Sequence, residues 1–386
     1  MNKQFYLSSL FYLLSITCLQ AASVNSLYDA TVPLEAGQVA NNKVVLQQGM
    51  SQVLVKVTGN KQVVDYKIIK NAIENPENYL LKYSQKVNQK SEYITETDEV
   101  ITTKELVSIQ NYSSARINSL LQNASLPVWG KQRPLTLAWI MIEREPNQRL
   151  LLNDSEDSNF NNLYKEIVNT QATARGLPLV YPLQDLQEQV STSGASIWAQ
   201  SPDDLIKASD RYNADIIFSA SLYAKADHTW FAKWLVIHNG KATTFETTAP
   251  YLTATIQEGI NWLADNLAKV YTSNLSAPAE SINIRINNIT SLDKYAAVDR
   301  YLASLSVIDK YALNHLSDNH LELQVSVKNG RKALLAALKL DNKLVELDAN
   351  DKAVVQYDSF SNSDHETASN SKQMGSENIL EFRWRS

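Results

Sequence analysis

The chain has 386 residues, 44% of them hydrophobic and 20% charged, with a net charge of −5. That is ample apolar material for packed cores and excludes a disordered chain. The mildly acidic balance, with no basic stripe interleaved with aromatics, argues against a nucleic-acid partner, and the length suggests two or three domains.

The amino-terminal stretch reads as a targeting segment. Lys3 supplies a positive charge, Phe5 to Thr17 is an apolar run, and small residues follow at Ala21, Ala22 and Ser23. This order predicts a cleaved secretory signal peptide over residues 1–22. The run is too short to span a bilayer comfortably, and no second stretch is long enough to do so. The single cysteine, Cys18, lies in this segment. A lipidation signal wants Leu three positions upstream and a small residue just before, where this chain has Ser15 and Thr17, so lipidation is the disfavoured reading. The mature chain then has no thiol, which excludes disulfides, thiolate metal sites and a cysteine nucleophile. The expected address is the soluble periplasm.

Residues 24–128 read as an N-terminal α+β domain. Ser26 to Leu34 alternates as a strand, and Asn41 and Asn42 can cap the helix that follows. Val45, Leu46, Met50, Val53, Leu54 and Val57 give that helix one apolar face, and Thr58-Gly59-Asn60 stops it. A second helical piece is expected from Tyr66 to Tyr83, interrupted by Pro76. Glu92–Thr97 and Val100–Gln110 are extended, with Asp98-Glu99 as the turn, and Ser113–Asn123 is a short helix. The order is β-α-α-β-β-α.

Leu126 to Pro134, LPVWGKQRP, is a loop with two readings. In one, Trp129 and Arg133 form an exposed recognition pair. In the other, which the usual burial of tryptophan favours, Trp129 plugs a domain joint and Arg133 holds its polar rim.

Residues 134–272 read as a central α/β domain. It opens on the apolar strand Leu135–Ile142, followed by an acidic loop with Asp154, Glu156 and Asp157 whose spacing matches no calcium loop. A helix ending at Arg175-Gly176, a strand over Leu177–Tyr181 and a helical segment over Pro182–Val190 come next. Asp203 to Ala224 is the clearest unit: a helix with Leu205, Ile206, Ser209 and Tyr212 on one face, a tight joint, and the buried strand beginning Ile216, Ile217, Phe218. Strands joined by helices predict a parallel sheet. Thr229–His238 and Lys241–Thr248 then form a hairpin through Asn239-Gly240, with Trp230, Trp234 and Val236 sharing a face, and a helix with Ile256, Ile260, Leu263, Leu267 and Val270 closes the domain. Ser273–Glu280 is a linker.

Residues 280–348 give β-α-β-β-α-β, the ferredoxin-like order. Residues 349–377 are Ser/Asn-rich and expected to be disordered. Residues 378–386 form a terminal strand, with Leu380, Phe382 and Trp384 on one face, expected at the edge of the last domain. The fold class is therefore α/β and α+β, a central three-layer-type α/β domain with a mixed sheet flanked by two small ferredoxin-like domains.

No nucleophile elbow, phosphate loop or dinucleotide glycine pattern is present. His315 and His320 flank a turn but have no identifiable third ligand, so no metal site or cofactor is expected. The runs SQVLVKVTGN (51–60), LPVWGKQRPL (126–135), RGLPLVYPLQD (175–185), SDRYNADIIFSASL (209–222) and VDRYLASLSVI (298–308) resemble those of domain-of-unknown-function family 2066 (DUF 2066). The resemblance implies an exported envelope protein of gammaproteobacterial type, and no activity. By fold alone the central domain is also similar to α/β modules of periplasmic Tol-system and lipoprotein-cofactor proteins.

The reading that follows is a non-catalytic envelope binding or scaffold protein with an envelope protein partner. Trp129, Arg133, Arg211 and Tyr212 are its interaction candidates. The alternative is a periplasmic hydrolase with a site at the central strand ends, where Asp185 and Ser219 would meet. The oligomeric state is not legible.

Overall fold

A computed structural model describes residues 22–94, 99–274, 279–317, 319–340, 343–347 and 379–385. Residues 1–21 of the expected signal peptide, with Cys18, the hairpin turn at Asp98 and the Ser/Asn-rich tail lie outside the described residues. The architecture is α/β and α+β, built on three principal sheets of three, six and five strands.

The N-terminal part contains β1 (Ala22–Ser23), β2 (Asp29–Pro33), α1 (Lys43–Thr58), α2 (Lys67–Ile73), β3 (Leu80–Ile94), β4 (Glu99–Tyr112) and α3 (Ser114–Asn123). The antiparallel sheet runs β2-β4-β3. Asn42 caps α1, whose Met50, Val53, Leu54 and Val57 are buried in one core with Leu27, Tyr112 and Ile117. The second helix is shorter than its periodicity suggests. Pro76 ends it in a single 3₁₀ turn, and the chain is a strand from Leu80 onward.

β5 (Pro127–Val128) and β6 (Gln132–Arg133) lead to the central sheet. That part contains β7 (Thr136–Glu145), β8 (Gln148–Leu151), α4 (Asn159–Arg175), β9 (Leu179–Val180), α5 (Leu186–Ser191), α6 (Gly194–Ala199), α7 (Pro202–Ser209), β10 (Ile216–Ala224), β11 (Trp230–His238), β12 (Lys241–Ala249), α8 (Leu252–Tyr271) and β13 (Ser273–Asn274). β7 pairs in parallel with β9 and β10, and β8, β11 and β12 add antiparallel strands. β7 and β10 are buried on both faces, as their unbroken apolar runs require. One core holds Phe218 and Trp234 under α4 and α8; the other holds Trp139, Ile197 and Leu205. Trp234 stacks between Phe218 at 5.0 Å and Phe245 at 5.9 Å, so the hairpin aromatics form a cross-strand ladder within the core. The segment expected to be helical from Pro182 becomes a helix only at Leu186.

The last part contains β14 (Ala279–Asn287), α9 (Leu292–Ser304), β15 (Ile308–Leu316), β16 (His320–Lys328), α10 (Gly330–Lys339), β17 (Leu344–Glu346) and β18 (Ile379–Trp384), in the sheet order β15-β16-β14-β18-β17. The terminal strand is therefore not at the edge. β18 runs parallel to β14 and antiparallel to β17, which places it inside the sheet. Its Leu380, Phe382 and Trp384 join Ile282, Ile284, Ile286, Val298 and Leu302 in one core. An interior position satisfies the backbone on both sides of the strand and buries its apolar face.

The loop between Leu126 and Pro134 touches all three parts. β5 pairs with β13, β6 pairs with β1, and Gln132 donates to Ser304 of α9. Trp129 is fully buried, its amide donating to Val57 O at 2.7 Å. Arg133, expected on a polar rim, is fully buried too, with its guanidinium 3.8 Å from the Trp129 ring centroid. Gly59 ends α1 with φ +65°, and a Cβ there would lie 2.8 Å from the Trp129 ring, so both the turn and the close approach demand glycine.

Removing the indole leaves a void that neighbouring helices cannot fill. Trp129→Ala should cost about 3 kcal/mol in denaturant unfolding. An unchanged unfolding midpoint would show that the indole bears no structural load.

Candidate functional site

Of the four interaction candidates, Trp129 and Arg133 are inside the joint and unavailable to a partner. Arg211 and Tyr212 lie elsewhere, on a 3₁₀ turn after α7, and the fold brings them against α5. Asp185 caps α5 by accepting from the Glu188 amide at 3.1 Å, and Arg211 Nη1 donates to Asp185 at 2.9 Å. Glu188 is buried beneath the helix. Its carboxylate accepts from the Gln184 amide at 2.8 Å and from the Tyr212 hydroxyl, and lies 3.6 Å from Arg211. The Tyr212 hydroxyl also accepts from the Leu183 amide at 2.7 Å.

Electrostatics follow from these contacts. The Glu188 amide, followed by Arg211, holds the Asp185 carboxyl below its ordinary value. Desolvation, reinforced by the hydrogen bond to Glu188, pushes the Tyr212 phenol up, so it stays protonated and donates. Gln184 sits at φ +54°, an unfavourable conformation for a residue with a Cβ, held by the bonds its amide and carbonyl make to Glu188 and Gln189.

The consequence is an inverted helix. A six-residue helix is too short to stand alone. An ordinary amphipathic helix buries its apolar side chains; this one buries its carboxylate and presents Leu186, 80% exposed, and Val190, 88% exposed, with Leu183, also exposed, in the segment before it. Leu186 and Val190 are four residues apart and share a face. The hidden polar network fixes the platform while the apolar side chains stay available.

The residues proposed for hydrolysis do not meet. Ser219 lies within β10, fully buried beside Trp139, and its hydroxyl has no hydrogen-bond partner. Asp185 is on α5, paired with Arg211. His238, the histidine of this sheet, pairs in register with Ile216, so it lies roughly 10 Å along the strand from Ser219. It bonds instead to the Tyr271 hydroxyl at 2.8 Å, at the cleft between Asp215 and Lys339. His315 and His320 have ring centroids 6.0 Å apart, and among the described residues no group of three His, Cys, Asp or Glu is placed to hold a metal ion.

Sequence reasoning picked out Asp185, Arg211 and Tyr212 but missed Glu188, Leu186 and Val190. The available signal was the spacing of Asp185 and Glu188, which matches a capping box and would have marked the helix start.

Comparison with known proteins adds the following. A family model described as a domain of unknown function (DUF8605) matches residues 21–130, the N-terminal sheet and the first part of the joint. No curated protein gives a significant match. Among solved structures, the LpoB C-terminal domain from Salmonella enterica is 13% identical, over 31% of this chain and 83% of that one, with a TM-score of 0.19. A crystal structure of an uncharacterized protein is 12% identical, over 35% and 90%, with a TM-score of 0.16.

The depressed value of Asp185 gives a sign. Its contribution is present above the ordinary carboxyl value of 3.8 and is lost as pH falls through the lower folded value. The protection of the α5 amides, taken relative to their intrinsic exchange rates, should therefore fall below that range, and Asp185→Asn should lower it and leave it less dependent on pH. Equal protection in Asp185→Asn and the parent at neutral pH would contradict the network.

Proposed function

We propose that the chain is a non-catalytic docking protein of the bacterial cell envelope, and that it binds a protein partner through the face formed by Leu183, Leu186 and Val190. The observation that carries this reading is the inversion of α5. Exposing two large aliphatic side chains on a helix whose carboxylate is buried gains nothing for folding. A fixed, solvent-facing apolar pair is instead what a partner's pocket can use, since interface energy concentrates in a few desolvated side chains ringed by polar groups. Asp185 and Arg211 supply that polar rim.

The envelope address comes from the expected export signal over residues 1–22, and the resemblance to family 2066 agrees with it. Among the described residues no helix is long and apolar enough to cross a membrane. The proposed location is the periplasm, with a new amino terminus near Ala22 or Ser23. The three principal sheets are proposed to mark domains over 24–128, 134–272 and 280–348.

A photo-crosslinking residue at position 190, used in intact cells, should give an adduct with an envelope protein identified by mass spectrometry. The same residue at the equally exposed Leu292 serves as the control. Leu186→Asp with Val190→Asp should abolish the adduct while changing stability by only about 0.5 kcal/mol. Equal adducts from both positions, or an adduct unaffected by the double substitution, would refute the docking face.

A further inference from the structure

β3 is an edge strand, and among the described residues β4 is the one strand that pairs with it. From Leu81 to Lys90 almost every residue is exposed, a long uncovered edge. Such an edge presents a row of backbone donors and acceptors able to pair with another strand.

The direction of these groups is set by one contact. The amide of Ser91 points away from β4 and is accepted by the carboxylate of Glu166, on α4, at 3.2 and 3.4 Å. Strand geometry has a period of two, and β3 shows no register shift between Lys82 and Ile94. Gln89, Val87, Gln85 and Tyr83 therefore turn their amides and carbonyls to the same outer side as Ser91. The fold itself places a carboxylate at the far end of this ladder.

The side chains define what fits along the rest. On one face of the sheet, Lys82 and Lys86 are exposed, with Lys90 continuing the four-residue spacing. On the other face Tyr83 is 48% and Val87 is 53% exposed. Pairing this edge with its own copy within the uncovered span would gather Lys82 and Lys86 of both chains on one face, an unfavourable cluster of like charges. The same lysines that bar a second copy attract a strand of opposite charge.

We infer that the Tyr83–Gln89 edge of β3 receives an extended acidic segment of a partner protein as an added strand. Its carboxylates would lie along Lys82 and Lys86, and its alternate apolar side chains would lie along Tyr83 and Val87. Main-chain hydrogen bonds would supply affinity, and the two faces would supply selectivity. This surface is distinct from the α5 face and does not depend on it.

The test uses the full chain and a ten-residue peptide of alternating glutamate and valine, with the lysine–valine peptide as its counterpart, in calorimetric titrations at low salt. The acidic peptide should bind and the basic one should not. Lys82→Glu with Lys86→Glu should weaken binding about tenfold or more. Val87→Pro removes an outward amide and leaves the ladder to β4 intact, so it should abolish binding while circular dichroism stays unchanged. Leu186→Asp should leave binding as it is. The inference is overturned if the acidic peptide does not bind the parent, if it binds both β3 variants as well as the parent, or if sedimentation shows the chain dimerising through this edge in a manner that Val87→Pro abolishes.

Discussion

The guanidinium of Arg133 is fully buried, and its hydrogen bonds all go to carbonyl oxygens: Gly130 and Trp129 in its own loop, Lys56 at the end of α1, and Arg175 at the end of α4. Those helices belong to the N-terminal and central parts. Each ends in a left-handed glycine, Gly59 or Gly176, which turns the chain away and leaves the last carbonyls pointing into the joint. The negative ends of two helix dipoles thus converge on one cation. Desolvation and the nearby Arg175 depress its pKa, yet the group remains charged at neutral pH.

Arg175 repeats the device in the opposite direction, donating to Gly59 O at 2.8 Å while Asp265 and Asn261 of α8 hold it. Lys56 adds a third buried cation, donating to the carbonyls of Ser26 and Asp29, and its amine is pushed down to about 8 by desolvation. Burying charge without exact pairing is costly, and losing one partner of such a set costs more than the set contributes. The joint therefore tolerates little slack. Rigidity suits the two proposed docking surfaces: the α5 face belongs to the central part and the β3 edge to the N-terminal sheet, with Glu166 of α4 closing one end of that edge. Two surfaces on separate sheets keep a fixed separation only if the joint does not bend.

Much of this fold is legible in the residues. α1, α8, β14 and β16 carry apolar side chains at unbroken helical or alternating spacing, and each appears where that spacing places it. β3 was not legible before Glu92, because an uncovered strand needs no buried face and so carries no period of two over Lys82–Lys90. α5 misleads for the converse reason. Its Leu186 and Val190 resemble an inward stripe, and only the three-dimensional placement of Tyr212 shows that Glu188 is the buried member. The sequence places Arg133 on a rim, whereas the carbonyls of two converging helix ends draw it into the joint. β18 was legible as a strand, whereas its place between β14 and β17 depends on pairing over long separation, which local pattern does not encode.

Calorimetric unfolding of Arg133→Met tests the joint most directly, since methionine keeps much of the apolar stem while removing every bond to the helix ends. The parent should unfold with its N-terminal and central parts in one transition. The variant should show that transition split, with one part melting well below the other. A single transition at the parental temperature would contradict the account, because the two helix ends would then hold together without the cation between them.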